Sequence, residues 1–266
     1  MIGRSLRAFP TLLRVAVADM VAYRAEFLIW VLTTNMPLVM LAVWHRASED
    51  APVGRFGQKE FAAYFLSTVI VRLMVQCWVA WELTMDIRQG TLAMKLMRPI
   101  HPVLAYSAEQ LAAIPMRILY LTPVVAVLVY AAGEKIAITD PAMAAIFVLS
   151  ILGAWLMTFV IGVMMGTLSM FLQSAFSVFD LWMALHSVFS GYLVPLELFP
   201  PWMRTLADVL PFKYMLSFPV QTLIGMETQE QALRDLGVQW MYVVVLTLAA
   251  RALWQRGMKK FVAFGG

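Results

Sequence analysis

Several polar or ionisable side chains lie inside long apolar runs of this sequence, where they could line or gate a polar passage. They are Arg72 and Gln76, one helical turn apart, followed by Arg117, Asp180 and His186. An ionisable group in hydrocarbon costs roughly 2.5–3.5 kcal/mol on insertion scales, so it usually faces a water-filled cavity or a partner group. For His186, a buried histidine with satisfied hydrogen bonds is the simpler interpretation. The others are candidates for the lining of a passage.

Motifs of known enzymes are scarce in the sequence. His45 and Asp50 have an H-x-x-x-x-D spacing that resembles that of some acyltransferases, but Arg46 and Glu49 lie beside them and indicate a solvated charge cluster. The hydrolase strings H-E-x-x-H and G-x-S-x-G do not occur. Neither does G-x-x-x-x-G-K-[ST], the loop that holds nucleotide phosphates. We predict no catalytic residue, no metal site and no bound cofactor in this chain.

The composition indicates a protein that is solvated by a lipid bilayer. Of the 266 residues, 62% are hydrophobic and 14% are charged, against roughly 25% charged in ordinary soluble domains. The single cysteine, Cys77, excludes an internal disulfide and a cysteine-rich metal site. Basic residues collect at the ends of apolar runs rather than on one soluble surface, so a nucleic acid is not expected as a partner.

Six apolar runs come close to or exceed the length of about 20 residues that a helix needs to cross the hydrocarbon. They predict an all-α, polytopic membrane protein with six transmembrane helices in one domain, 1–266. An N-terminal amphipathic interfacial helix is predicted within 1–26, because Leu13 and Met20 share one helical face and Arg14 lies opposite. The alternative is an ordinary amphipathic helix of a soluble protein. The predicted spans are 27–44, 61–81, 111–132, 142–170, 175–193 and 236–254.

The basic residues that flank these spans indicate their orientation. Eleven lie on the side that holds both termini, and seven lie on the other side over longer loops. Cytoplasmic loops carry the excess of Lys and Arg, so both termini are predicted to be cytoplasmic. The eleven are Arg4, Arg7, Arg14, Arg24, Arg88, Lys95, Arg98, Arg251, Arg256, Lys259 and Lys260; the seven are Arg46, Arg55, Lys59, Lys135, Arg204, Lys213 and Arg234.

In this orientation 190–235 is an outer connection, yet it is too apolar for a plain aqueous loop. Pro201 suits the first turn of a helix that Pro211 would stop, and about ten residues of helix reach only ~15 Å. A second short helix, over roughly 215–224, would end at Gly225. Irregular backbone at membrane depth needs protein or a water-filled cavity around it. We therefore predict two short re-entrant helices that line or cap a passage; the alternative is a loop that rests at the headgroups.

The sequence here resembles permease subunits of the type 2 ABC transporters, an exporter family with six spans per subunit and a pair of re-entrant helices before the last span. The resemblance covers most of the chain. It is carried by SGYLVPLELFPPWMRTLADVLPFKYMLSFPVQTLIG, by DIRQGTLAMKLMRPIHPVLAY, and by the amphipathic helix before YRAEF. In the first of these, the residues that match the family's pattern are Gly191, Pro195, Pro200, Pro201, Pro211, Phe212 and Gly225.

The resemblance implies a homo- or heterodimer of permease subunits in a bacterial inner (plasma) membrane. It implies ATP-driven export, with two separate ABC ATPase subunits that use ATP and Mg²⁺. The segment 82–106 would hold the coupling helix that docks into an ATPase groove, with FLQSAFS as a second cytoplasmic contact. Alternatively, the cations of that segment only anchor the topology. The coupling residues to which the resemblance points are Asp86, Arg88, Gly90, Lys95 and Arg98.

Two features inside the spans have both a functional and a structural interpretation. The predicted topology puts Arg117 and Asp180 in the cytoplasmic third of the membrane, where they form a candidate polar pair. The pair would line or gate a passage, or would join two helices as an ion pair. Gly162 and Gly166 are spaced for close helix packing, a pattern that is also common by chance in apolar sequence.

The alternative functions are a channel or secondary transporter and, with less support, a membrane-embedded acyltransferase-like enzyme. A secondary transporter would show inverted repeats with interrupted spans in matching positions. The second and fifth predicted spans do not correspond in that way. The sequence does not reveal the substrate, the choice between homodimer and heterodimer, or the roles of Arg72 and His186.

Overall fold

The computed structural model describes residues 2–22, 36–132, 140–172 and 174–261. Over these residues the chain is all-α, as predicted, apart from an isolated β-bridge between Val53 and Phe56. The helices are α1 (Ile2–Ala22), α2 (Met36–Ala47), α3 (Gln58–Val75), α4 (Val79–Gln89), α5 (Thr91–Met97), α6 (Pro102–Ala112), α7 (Ile114–Ala132), α8 (Pro141–Leu168), α9 (Ala175–Phe189), α10 (Pro201–Val209), α11 (Phe212–Met215), α12 (Ser217–Leu223) and α13 (Gln229–Met258).

Four stretches of helix in the described part of the chain are long and apolar enough to cross a membrane. They correspond to the predicted second, third, fourth and sixth spans. The predicted fifth span contains α9, which is apolar but has only 15 residues. The predicted first span begins outside the described residues, and α2 covers its end. The count of six spans therefore stays a prediction. The four stretches are Gln58–Gln89, Pro102–Tyr130, Pro141–Leu168 and Gln229–Met258.

Two of these stretches differ from the predicted continuous helices. Gln58–Gln89 is interrupted at 76–78, where Gln76 has φ −59° and ψ 133° and leaves the helical conformation. Pro102–Tyr130 starts earlier than the predicted span 111–132, because Pro102 occupies the first turn of α6 and His101 caps it by accepting a hydrogen bond from the backbone N–H of Val103. A turn at Ala113 then separates α6 from α7.

Helix α8 is the centre of the bundle and packs against α3, α4, α9, α11, α12 and α13. Two glycines allow α4 to approach it closely. A Cβ added at Gly162 would lie 2.5 Å from Cγ1 of Val79, and one added at Gly166 would lie 2.8 Å from Cβ of Leu83. The spacing of these glycines predicted close packing, and the structure identifies α4 as the helix that occupies the space.

Helix α1 is amphipathic and packs along α6. Phe9, Leu13 and Met20 are half-buried, whereas Thr11 and Arg14 are exposed, so the predicted division into two faces is present in the described side chains. The position of α1 at a membrane interface stays a prediction.

An aromatic cluster joins the start of α3 to the outer segment, residues 190–235. The rings of Trp44 and Phe61 stack at 5.2 Å, and those of Phe56 and Phe61 at 5.1 Å. The indole N–H of Trp44 donates to the carbonyl of Leu193 at 3.2 Å, and the hydroxyl of Tyr64 donates to the carbonyl of Gly191 at 2.8 Å. These contacts fix the outer segment against α2 and α3.

Candidate functional site

The elbow, which we define as residues 79–97, consists of α4, a turn at Gly90, and α5. Gly90 ends one helix and begins the next with φ +74°, a conformation that favours glycine. This glycine was predicted to take part in a contact with an ATPase. The structure gives it a role in the turn itself.

Asp86 holds the elbow closed. Its Oδ1 accepts a hydrogen bond from the hydroxyl of Thr91 at 2.6 Å, and its Oδ2 forms an ion pair with Nζ of Lys95 at 2.6 Å. The hydroxyl of Tyr106, on α6, also donates to Oδ2. Nζ of Lys95 lies 4.3 Å from the centre of the Tyr106 ring. Asp86 and Lys95, both predicted to contact an ATPase, therefore have partners within the chain.

The outward surface of the elbow is apolar and basic. Met94 and Met97 are 57% and 80% exposed. Arg88 is exposed too, as is Arg98, which directly follows the elbow. The guanidinium of Arg88 lies 4.7 Å from the ring centre of Phe176 at the start of α9, which belongs to the predicted second cytoplasmic contact. The structure thus brings these two predicted contact regions together on one side of the molecule.

A polar clamp, formed by Gln110 and Arg117, holds the helix interruption at 76–78. Oε1 of Gln110 accepts from the backbone N–H of Trp78 at 2.9 Å, and its Nε2 donates to both carboxylate oxygens of Glu82 at 3.1 Å. Nη1 of Arg117 donates to the carbonyl of Gln76 at 2.7 Å. Backbone groups that lose their helical partners at the interruption are thereby satisfied.

The sequence analysis did not identify Glu82 or Gln110 as functional residues. Glu82 was placed at the start of the cytoplasmic segment 82–106 without a role of its own. The span after that segment was predicted to begin only at residue 111, after Gln110. One sequence signal could have identified Glu82 and Gln110. Each is a polar residue near the same predicted end of two successive apolar helices, where the two side chains can meet.

The structure does not bring Arg117 and Asp180 together within the chain. Arg117 is 3% exposed and donates to the Gln76 carbonyl, whereas Asp180 is exposed on α9. The guanidinium of Arg117 donates to a carbonyl that has lost its helical partner at the interruption. This hydrogen bond accounts for a buried Arg117 without a carboxylate partner on another helix.

We expect substitutions at Arg117 and Asp180 to act additively. Arg117→Met should lower the free energy of unfolding by about 1–2 kcal/mol, because the Gln76 carbonyl loses its donor. Asp180→Asn should have little effect, because its side chain is exposed. In thermal melting of the detergent-solubilised protein, the double variant should match the sum to within ~0.5 kcal/mol. A coupling energy above about 1 kcal/mol would instead support a direct interaction between Arg117 and Asp180.

The outer segment contains more helices than the two that were predicted. Pro201 occupies the first turn of α10, which ends at Val209 before Pro211. The predicted second helix, over roughly 215–224, corresponds to α12, and Gly225 follows it with φ +65°. The short helix α11 precedes it and was not predicted. Phe212 is 4% exposed and packs on Trp182 of α9 at 4.6 Å between ring centres. Whether these helices enter the membrane stays a prediction.

The remaining predicted residues of the outer segment shape its turns. Gly191 has φ +83° and leaves no room for a Cβ beside the hydroxyl of Tyr64. Pro195 and Pro200 precede the 3₁₀ helix Leu196–Leu198 and α10 respectively. All three positions are therefore structural in this chain.

Two polar residues inside the spans have aromatic neighbours. The guanidinium of Arg72 lies 5.1 Å from the ring centre of Tyr192, and the ring of His186 lies 6.2 Å from that of Phe212. Arg72 and His186 therefore lie beside the start and the middle of the outer segment. His45 and Asp50, the basis of the enzyme alternative, are both exposed near the end of α2.

These helices, together with the apolar composition, define the chain as a helical membrane protein. Residues 25–265 match the family described as ABC-2 family transporter protein, and the chain belongs to that family. It is a permease of the ABC transporter type, as its resemblance predicted. Membership implies association with ABC ATPase subunits, and permeases of this family are typically non-catalytic. A search among curated proteins found no match.

Proposed function

We propose that this chain forms the substrate path of an ATP-driven exporter, as a dimer of permease subunits coupled to two separate ATPase subunits through the elbow. The dimer partner is an identical or related permease. The observation that carries the proposal is the elbow itself. It is held in shape by internal polar contacts and presents the exposed side chains of Met94 and Met97.

The residues of the elbow divide into two groups. Asp86, Gly90 and Lys95 keep the turn in shape through the contacts among α4, α5 and α6. Met94 and Met97 supply exposed apolar area, and such side chains adapt to the groove of a partner. An ATPase would therefore meet an apolar surface on a preorganised support, which lowers the entropy cost of binding.

Cations border this apolar surface. Arg88 and Arg98 are both exposed, and the contact of Arg88 with Phe176 links the elbow to the start of α9. Basic groups at the edge of an interface select an acidic partner surface and accelerate encounter. We infer that the ATPase groove is acidic around an apolar centre, and that it contacts the start of α9 as well as α5.

The outer segment serves as the cap of the path. Its short helices α11 and α12 both pack against α8, α12 also packs against α3, and Gly191 is tied to α3 through Tyr64. Irregular backbone of this kind is tolerated at membrane depth when protein surrounds it. With the elbow on the cytoplasmic side, both termini are cytoplasmic, and the membrane is the bacterial inner membrane. The excess of basic residues on that side supports this orientation.

The proposal is tested by co-purifying the tagged chain with the ABC ATPase of its transporter. Wild type should retain the ATPase, whereas the double variant Arg88→Glu, Arg98→Glu should weaken binding by about tenfold or more, because two cations become repulsive toward an acidic groove. Lys59→Glu, an exposed charge reversal on the predicted outer side, is the matched control and should bind as wild type.

Membrane-inserted amount and topology are measured in the same cells, since the reversal also removes basic residues that orient the spans. Normal insertion together with undiminished ATPase binding would contradict the role of the elbow. ATPase loss by the Lys59 control would show that the assay responds to charge in general.

A further inference from the structure

A cavity of about 270 Å³ lies among the outer segment, the turn at 53–56 and the start of α13. At the ~30 Å³ that one water occupies in the liquid, it has room for a small polar headgroup. Charges of both signs line it. The cations are Arg55, Arg204, Lys213 and Arg234, and the anions are Glu197, Asp208, Glu227 and Asp235.

Two buried carboxylate oxygens in this lining accept no hydrogen bond from the part of the chain that the structure describes. Oε1 of Glu197 accepts from Nη2 of Arg55 at 2.9 Å and from Nε2 of Gln221 at 2.6 Å. Its Oε2 is buried, and no described residue donates to it. Oε2 of Glu227 is also buried without a donor among the described residues. Unsatisfied buried acceptors are costly, and two in one cavity indicate a donor that comes from outside the chain.

The charges are unevenly distributed between the buried and exposed parts of the lining. Nζ of Lys213 is shared by Asp208 at 3.0 Å and Asp235 at 2.9 Å, so one cation serves two carboxylates. Arg55 serves Glu197, and Glu227 forms no ion pair with a described residue. The paired and buried groups thus carry an excess of negative charge. Arg204 and Arg234, in contrast, are exposed cations in the same lining.

We propose that this cavity binds a zwitterionic ligand, with its ammonium group between Glu197 and Glu227 and its anionic group on Arg204 and Arg234. An ammonium offers three donors and a positive charge, which suit two carboxylate oxygens that have no donor among the described residues. A metal ion fits less well, because the described residues contain no group of three side chains able to hold one. Phosphoethanolamine, free or as a lipid headgroup, has this chemistry.

The ionisation of Glu227 makes the binding depend on pH. Burial, and then the negative charges of Asp235 and Glu197, raise the pKa of Glu227 to about 7, against the opposing effect of Lys213 and Arg55. An ammonium binds the deprotonated carboxylate. Affinity should therefore rise as the pH increases from 6 to 8, with the steepest change near the pKa of Glu227.

The test is calorimetric titration of phosphoethanolamine into the full chain in phosphatidylglycerol nanodiscs at pH 8. We expect saturable binding, and no binding of ethyl phosphate, which lacks the ammonium. Glu227→Gln keeps the shape but removes the charge, and should weaken affinity by about tenfold or more. Glu230→Gln is the matched control, because Glu230 is exposed in the first turn of α13, three residues after Glu227, and does not line the cavity.

Nanodiscs with equal phosphatidylglycerol and phosphatidylethanolamine identify the source of the ligand. Weaker apparent affinity there assigns the site to a lipid headgroup, and unchanged affinity assigns it to a free solute. Absence of saturable binding, equal binding of ethyl phosphate, or wild-type affinity of Glu227→Gln with an unchanged melting temperature would overturn the proposal. The inference rests on the proposed function in one respect only, namely that the cavity lies on the outer side of the membrane. The titration contains no ATPase, so the two can fail independently.

Discussion

Glutamate at both Met94 and Met97 should reduce the affinity of the chain for its ATPase by on the order of 100-fold. These side chains are 57% and 80% exposed and form the apolar centre of the elbow surface. Truncating a residue at the centre of an interface commonly costs 2 kcal/mol or more, and a buried carboxylate adds a desolvation penalty. Titration of the purified ATPase against the reconstituted chain measures the change directly.

The control for this change is Met94→Leu, Met97→Leu, which keeps the apolar area and volume. It should bind within about threefold of wild type, because exchanges between Leu and Met conserve volume. Both variants should melt at the wild-type temperature, since neither side chain is buried. Wild-type affinity of the glutamate variant would contradict the assignment of Met94 and Met97 to the ATPase contact. A lowered melting temperature would show instead that these side chains stabilise the folded chain.

Replacing Gly162 with leucine should destabilise the folded protein by about 3 kcal/mol. The space that a Cβ would need is occupied by Cγ1 of Val79, 2.5 Å away, and the backbone N of Ala80 lies at 3.5 Å. Because the backbone of α4 cannot retreat without disturbing the elbow, the larger side chain must separate α4 from α8. Thermal melting in detergent measures the loss, and Gly162→Ala should give a smaller decrease in the same direction.

Gly237 is the matched control for this substitution. It lies in α13, where an added Cβ meets nothing within 4 Å. Gly237→Leu should therefore leave stability unchanged or raise it by roughly 0.5–1 kcal/mol, because glycine is a poor helix former. If the two leucine variants melted alike, close packing of α4 on α8 would not be the cause of the loss.

The sequence was sufficient for features that depend on local chemistry. Proline in the first turn of α10 and glycine after α12 mark helix ends through their own backbone restrictions. The two faces of α1 follow from helical periodicity. The apolar runs indicated a membrane protein, and three segments of the sequence resembled those of the family. For the helix ends and for the faces of α1, the residues that determine the feature lie within a few positions of one another in the sequence.

Contacts between residues distant in the sequence were beyond this reasoning. Nothing local to Gln76 interrupts a helix, since the sequence there has neither glycine nor proline. The interruption depends on Gln110 and Arg117, more than thirty residues further along the chain. The same holds for Arg117, whose partner is a backbone carbonyl. A search for opposite charges proposed Asp180 instead, because a carbonyl that is free to accept cannot be read from side-chain types.

The interruption at 76–78 also decides how a displacement would travel through the molecule. Before the interruption, α3 packs on α2, α7 and α8; after it, α4 packs on α8. Because the helix is interrupted, a displacement of the elbow is passed to α8 rather than along a continuous helix. With 28 residues, α8 is a rod of ~42 Å, and it also contacts α11, α12 and α13. A partner that moved the elbow would therefore act on the short helices of the outer segment and on α13 together, through one shared helix.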